Sequence, residues 1–345
     1  MRKEFAPFYI TYATSGRPHE LLADEHLMAI ISFGQTNWVS RDDPRQFTVG
    51  LPELGGGRTV ETWFSCEPLE MGVHGRFAFS KNAQILFGHL FINEREYRDV
   101  RLATYGAYHD MLDFIQRQGY SHLLRVWHYF SDINVQDERS LERYQAFCLG
   151  RHQALHTLPN FEHTLPAASA IGTQSSGFLM YFLASKTPGI QVENPRQVSA
   201  FVYPRQYGPK SPSFSRAVLK QWGAENHLYI SGTASIVGHK SLYENSAENQ
   251  LRETLRNIDT LIESIQDYQL PIHTIADLSL LKVYVRRHTD FDSIRQNLKK
   301  VVGPYTPIVF LQGDLCRSNL LLEVEGFYTD SNIYSQSKRP TLNYC

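Results

Sequence analysis

Two carboxylates interrupt an otherwise apolar run near the end of this 345-residue chain, in GDLCRSNLLLEVEG at residues 313–326. Glu323 and Glu325 alternate with Leu322 and Val324, which is the period of a β-strand, so both glutamates and Leu321 point to one face. Two charges on one strand face have two readings. That face is open to water, or one carboxylate is placed for acid–base work. Elsewhere, His152 and His156 sit at i, i+4 in GRHQALHTL, a spacing that can grip a metal. No glutamate of an HExxH motif lies between them and no acidic or thiol ligand is near, so a surface or packing role is the expectation, with no metal. The GGG at 55–57 lacks the strand-to-helix context of a nucleotide loop and reads as a turn, and the absence of GxSxG removes support for a hydrolase serine.

The elements that must position these groups show a repeat. LLRVWHYF at 123–130 and LLKVYVRR at 280–287 each read as a strand preceded by a helical pattern. In the first half the helix is YGAYHDMLDFIQRQGY, with Leu112 and Ile115 apolar. In the second it is LRETLRNIDTLIESIQ, where Leu255, Ile258, Leu261, Ile262 and Ile265 form one stripe. A second helix follows each strand (SLERYQAFCLGRHQAL and FDSIRQNLKKVV), and a glycine-containing strand precedes each unit (ILFGHLFI and LYISGTASI). Strand, helix, strand, helix therefore occurs twice. The expected fold is α+β, two tandem domains of similar topology, each a mostly antiparallel or mixed sheet with helices on one face. The expected boundaries are 1–189 for the N-terminal domain, 190–330 for the C-terminal domain carrying the glutamate strand, and 331–345 for a polar, loosely held tail. Between the halves, ENPRQVSAFVYPRQYGPKSPSFSRAVL reads as strand, loop, strand, with Arg205, Lys210 and Arg216 expected on a solvated loop.

Hydrophobic residues make up 42% and charged residues 20%, with a net charge of −1, so nothing global favours nucleic acid or an anionic membrane as partner. An anionic ligand would need locally placed Arg or Lys. Nineteen Tyr and twenty Phe suit a core built on sheets. No segment approaches the ~20 apolar residues of a membrane helix, and the start MRKEFAPFYITYATSG lacks an apolar signal region. The four cysteines (Cys66, Cys148, Cys316, Cys345) are widely spread without a CxxC pair, which reads as reduced thiols in a cytoplasmic protein.

Taken singly, Arg151, Tyr203 and Cys316 read as a helix-surface arginine, a half-buried tyrosine and a small buried hydrophobe. Taken together, the runs VWHYFSDIN, RYQAFCLGRHQAL, ENPRQVSAFVYPRQYGPKSPSFSRA, YISGTASIVGH, LLKVYVRR and LLLEVEG, in that order, resemble those of the chorismatases. The resemblance is specific over residues 120–326 and looser over 1–119. It implies two halves of YjgF-like fold and chorismate as small-molecule substrate, with no cofactor, and a monomer or small homo-oligomer. Chorismate carries two carboxylates, which planar guanidinium groups hold bidentately. The resemblance assigns that binding to Arg151 and Arg216, with Tyr144 and Tyr203 as neutral donors. It assigns proton delivery to the enolpyruvyl methylene carbon to Glu323, a carboxyl that must hold its proton near neutrality. Glu325 is then left as a structural or rim carboxylate. Gly232 and Cys316 resemble the members that rearrange chorismate intramolecularly to pyruvate and 3-hydroxybenzoate. The glycine would leave room for the intermediate, and a thiol or thiolate would assist loss of the ring proton. Members that hydrolyse chorismate to a dihydroxycyclohexadiene carboxylate, or that form 4-hydroxybenzoate alone or in mixture, are the enzymatic alternatives. A deaminase of enamine or imine intermediates is a weaker one. A non-catalytic ligand-binding protein on the same scaffold is the alternative of another class.

Overall fold

The computed structural model describes residues 6–331 except 15–17, 94–95, 98 and 137–140. The tail beyond Ser331 lies outside the described residues. In the first 65 residues, β1 (Phe8–Thr14), α1 (Pro18–Leu22), β2 (Leu27–Phe33), β3 (Trp38–Val39), β4 (Gln46–Val49) and β5 (Thr59–Ser65) build a sheet ordered β1-β5-β2-β4-β3. The second sheet uses β6 (Glu70–His74), β7 (Phe77–Lys81), β8 (Ile85–Ile92), α2 (Val100–Arg117), β9 (His122–Ser131), α3 (Arg143–Leu155), β10 (Ala167–Thr173) and β11 (Phe178–Ser185), ordered β10-β9-β11-β8-β7-β6. The third follows with β12 (Ile190–Val192), β13 (Ala217–Gln221), β14 (Asn226–Thr233), a ribbon of β15 (Ile236–Val237) and β16 (Lys240–Ser241), α4 (Ala247–Glu263), β17 (Leu280–Val285), α5 (Phe291–Val302), β18 (Ile308–Gln312) and β19 (Leu322–Thr329). Its order is β12-β13-β14-β19-β17-β18.

The repeat expected from sequence is present strand for strand. In both larger sheets the last strand inserts antiparallel between the first and second strands of the unit, and the second pairs in parallel with the third: β8-β11-β9-β10 matches β14-β19-β17-β18. The first sheet adds what the sequence did not disclose. Its β1-β5-β2-β4 has the same order and the same alternation of antiparallel and parallel pairs, with only the five-residue α1 where the others carry a long helix. Residues 1–189 thus contain two sheets.

Helices cover one face of each larger sheet. Leu322 and Val324 of β19 pack there with α4 and α5, and α2 and α3 cover the second sheet in a separate apolar cluster. The opposite faces of all three sheets meet in one interior containing Trp63, Tyr129, Tyr181, Tyr284 and Phe327. This is why the glutamates alternate with aliphatics: their face looks into the space between sheets, not into water. Gly150 shows how closely the helices approach, since a Cβ there would sit 2.2 Å from the carbonyl oxygen of Arg101 at the start of α2. Among the described cysteines, Cys148 and Cys316 are free, while Cys66 is disulfide-bonded, which corrects the expectation of reduced thiols at that position. No helix among the described residues is long and apolar enough to cross a membrane.

Candidate active site

Where β10 of the second sheet runs beside β14 of the third, the seam opens into an inner pocket of about 310 Å³, lined by Tyr144, Arg151, Ser169, Phe214, Gly232, Cys316 and Glu323. It continues into an outer chamber of about 780 Å³, which shares Tyr144, Phe214, Gly232, Cys316 and Glu323 and adds Tyr203, Arg216, Tyr207 and Arg317. All seven residues singled out from sequence line these two connected spaces. Several local devices deliver them. Tyr144 and Arg151 lie two helical turns apart on α3, so one face of a single helix presents both. Arg216 is the residue before β13, and Tyr203 follows a 3₁₀ turn at Ala200–Val202. Of the three basic residues expected on a solvated loop, Arg205 and Lys210 are exposed, but Arg216 is buried, so that expectation is corrected there.

Gly232 falls where the β14–β19 register slips between Ile230 and Thr233. The slip brings its Cα against the acid: a Cβ at this position would lie 1.8 Å from Glu323 Oε1. Its backbone N–H donates to Ser169 Oγ at 3.1 Å.

The two glutamates of one strand face are in opposite states. Glu323 is buried, lines both spaces and accepts no hydrogen bond among the described residues. Burial, reinforced by the charge of Glu325 and only partly offset by Arg125 and Arg216, pushes its carboxyl up to about 8, so it carries a proton at neutral pH. Burial would also raise Glu325. Lys282 and Arg125, together with hydrogen bonds from the Tyr284 hydroxyl and Trp127 Nε1 (2.6 Å), hold it below the ordinary carboxylate range instead. Glu325 is 5% exposed, so of the structural or rim position expected for it only the rim is ruled out: it is an interior anion.

The arginines are the converse case. Arg151 is 1% and Arg216 5% exposed, neither has a carboxylate partner among the described residues, and the Nε of each is buried without an acceptor. Arg216 donates to Tyr203 OH at 2.7 Å and to the Val198 carbonyl at 2.8 Å, and its guanidinium lies over the rings of Tyr203 and Phe214. Arg151 lies over Phe147. A fixed chain of hydrogen bonds orients it. The Ser169 carbonyl can only accept, so His128 Nδ1 donates to it (2.7 Å). Burial and the Arg151 charge keep that imidazole neutral, so Nε2 accepts from Tyr108 OH (2.7 Å). The Tyr108 oxygen is thereby left to accept from Arg151. Burying a cation without a close ion pair costs several kcal/mol, a cost that an anionic ligand removes; at Arg216 the nearby Glu193 carboxylate already offsets part of it.

Cys316 faces both spaces, but burial and the neighbouring Glu323 push its thiol up to about 12. It is a thiol at neutral pH, which corrects the thiolate considered from sequence. His152 and His156 stack on each other with ring centroids 5.4 Å apart, away from the pocket lining, and no metal-holding group of His, Cys, Asp or Glu occurs among the described residues. Sequence reasoning missed Ser169, Phe214, Tyr207, Arg317 and Arg125. Phe214 and Tyr207 lie inside the SPSFSRA and PRQYGP runs, and Arg317 adjoins Cys316, so their segments were legible although the side chains were not. Arg317 lies over Tyr207 at 4.0 Å and donates to the His239 carbonyl (2.9 Å) and to Ser241 Oγ (3.1 Å). Ser169 and Arg125 carried no local signal.

A proton-bearing carboxyl thus lines both connected spaces, with the Arg151 guanidinium in the inner one and that of Arg216 in the outer one, an arrangement suited to an organic dianion and an acid. Comparison with known proteins agrees with that class. The family profile described as chorismatase FkbO/Hyg5-like, N-terminal, matches residues 61–184. A chorismatase of Streptomyces hygroscopicus is 32% identical over 325 residues, covering 92% of this chain and 93% of that protein. A 3-hydroxybenzoate synthase of Streptomyces hygroscopicus is 36% identical over 232 residues, 65% of this chain and 68% of that protein. A chorismatase crystal structure superposes with a TM-score of 0.85 at 31% identity, covering 93% of this chain and 98% of that one. The chain belongs to the chorismatase family.

Proposed function

We propose that this protein cleaves chorismate to pyruvate and 3-hydroxybenzoate, with Glu323 as the acid and Arg151 and Arg216 as the carboxylate anchors. The observation that carries the reading is the protonated Glu323 carboxyl lining both connected spaces, with a buried guanidinium that has an unpartnered Nε in each. The relative named 3-hydroxybenzoate synthase supports the product.

The chemistry balances without water. Glu323 gives its proton to the enolpyruvyl methylene carbon, and the ring carbon–oxygen ether bond breaks with its electron pair on oxygen, which becomes the keto group of pyruvate. The ring then loses one proton on becoming aromatic, and that proton restores the acid. If the neighbouring hydroxyl stays where it is, the product is 4-hydroxybenzoate. If its oxygen shifts to the carbon that pyruvate left, the product is 3-hydroxybenzoate. That shift needs room beside the substrate, and Gly232, which lines both spaces, lets the Glu323 carboxyl fold back into the volume that a Cβ would otherwise fill. Incubation with chorismate and chromatography of the products should show pyruvate and 3-hydroxybenzoate in equal amounts. A dihydroxycyclohexadiene carboxylate as the main product would refute the assignment.

Two further outcomes are expected. First, kcat/KM reports the free enzyme's acid, which is active only when protonated. It should be flat at lower pH and fall as pH rises through about 8. A profile that climbs through this range would make Glu323 a base and overturn the mechanism. Second, Gly232→Ala combined with Cys316→Ala should divert the intermediate to water and yield the dihydroxycyclohexadiene carboxylate. Because the new Cβ would collide with the acid's own oxygen, pyruvate release should fall too, and the decisive measurement is the ratio of aromatic product to pyruvate. An unchanged ratio would reduce both residues to packing roles.

A further inference from the structure

Behind Glu323, four buried charged side chains from all three sheets meet around a small cavity lined also by Trp63 and Trp127. Glu61 comes from β5. It accepts from Trp63 Nε1 at 2.9 Å and pairs with Lys282 Nζ at 2.8 Å. Lys282, on β17, stands directly across from Glu325 in the β17–β19 register. Glu325 pairs with Arg125 of β9. Arg125 also donates to Ser169 Oγ at 2.6 Å, the same oxygen that accepts from the Gly232 N–H beside the acid. Two anions and two cations close on themselves, and Glu323 is left out.

We propose that Glu61, Lys282, Glu325 and Arg125 act as one internally neutral cluster of positioning residues that keeps the nearby cations committed elsewhere and so leaves Glu323 as the proton-bearing carboxyl. The proposal rests on the reading of Glu323 as the acid. It gives the first sheet a task in catalysis: without Glu61, Lys282 and Arg125 would share the single anion Glu325, and the net positive charge left in a dry interior, where charges are weakly screened, would favour the ionised form of Glu323. The groups facing Glu323 are Glu325 on its own strand, Arg125 of β9, Arg216 before β13, Cys316 of the preceding loop, and Tyr144 and Arg151 of α3. Those facing Glu325 are Arg125, Lys282 and the hydroxyls of Tyr284, Tyr129 and Tyr181, with Glu61 behind Lys282.

The test is the pH dependence of kcat/KM for chorismate cleavage in three variants. Glu325→Gln removes the anion beside the acid and leaves Arg125 without its carboxylate partner while Lys282 stays with Glu61, so the alkaline limb should move down by about one pH unit or more, with activity recovered on acidification. Glu61→Gln should move it in the same direction by less. The double variant Glu61→Gln with Lys282→Met removes the pair while keeping the cluster neutral, and should return the limb to the wild-type position. A merely structural cluster would lower rate and melting temperature at every pH without moving the limb, and would show no such return; either result overturns the proposal. Should Glu325→Gln fail to fold, Glu61→Gln and the double variant still decide it. If Glu323→Gln kept its turnover, the acid assignment itself would fail; if that variant is dead but the limb stays fixed in the others, only this cluster's role fails.

Discussion

Glu323→Gln should lose pyruvate release by about 100-fold or more, the usual cost of deleting one general acid, while the protein stays folded. Glutamine keeps the shape and cannot deliver the proton. The site makes a large loss expected for three reasons: the carboxyl is buried, it holds its proton to about pH 8, and no described side chain diverts it into a hydrogen bond. No structural cost is expected, because the carboxyl forms no ion pair among the described residues and the apolar packing of β19 is carried by Leu322 and Val324 on the other face. Initial rates of pyruvate formation and a thermal melt measure both halves. Near-normal turnover would remove Glu323 from the mechanism. Glu325→Gln, a neutral control on the expectation of a rim carboxylate, is no control once Glu325 is seen as an interior anion held by Arg125, Trp127 and Tyr284.

The second large effect is expected at the anchors. Arg151→Ala or Arg216→Ala leaves one substrate carboxylate facing a dry pocket with no partner, a loss of about 2–4 kcal/mol, or roughly 30- to 1,000-fold in binding. Lysine should rescue poorly at either place, since a point charge cannot form the two parallel hydrogen bonds of a guanidinium fork. At position 216 it would also lack the planar group that now lies between Tyr203 and Phe214 while bonding the Tyr203 hydroxyl. Tyr203→Phe removes the hydrogen bond that the Tyr203 hydroxyl accepts from the Arg216 guanidinium, a charge-assisted bond, and should cost about 1.5–3 kcal/mol. Michaelis constants unchanged in both alanine variants would refute the assignment.

The kind of protein this is, and the residues to suspect, could be read along the chain because those signals are local. The 3.6-residue stripe of Leu255, Ile258, Leu261 and Ile262 marks α4, Ile265 lies just past its end, and all five are buried. The two-residue alternation from Leu322 to Glu325 marks β19 and correctly puts both glutamates on one face. The runs around Tyr144, Arg151, Tyr203, Arg216, Gly232 and Cys316 carried the family resemblance, and the fold brings all of them to one seam. The first sheet escaped because its unit has no long helix to set a period, so its repeat exists only in how strands pair. The different fates of Glu323 and Glu325 escaped for a deeper reason. A strand pattern says which way a side chain points, but a proton's affinity depends on the charges it faces. Arg125, which fixes Glu325 as the anion, lies 200 residues away in the chain, and Glu61 and Lys282 arrive from two different sheets. Local sequence therefore determined the strand and its two carboxylates, and only the meeting of three sheets decided which one keeps its proton.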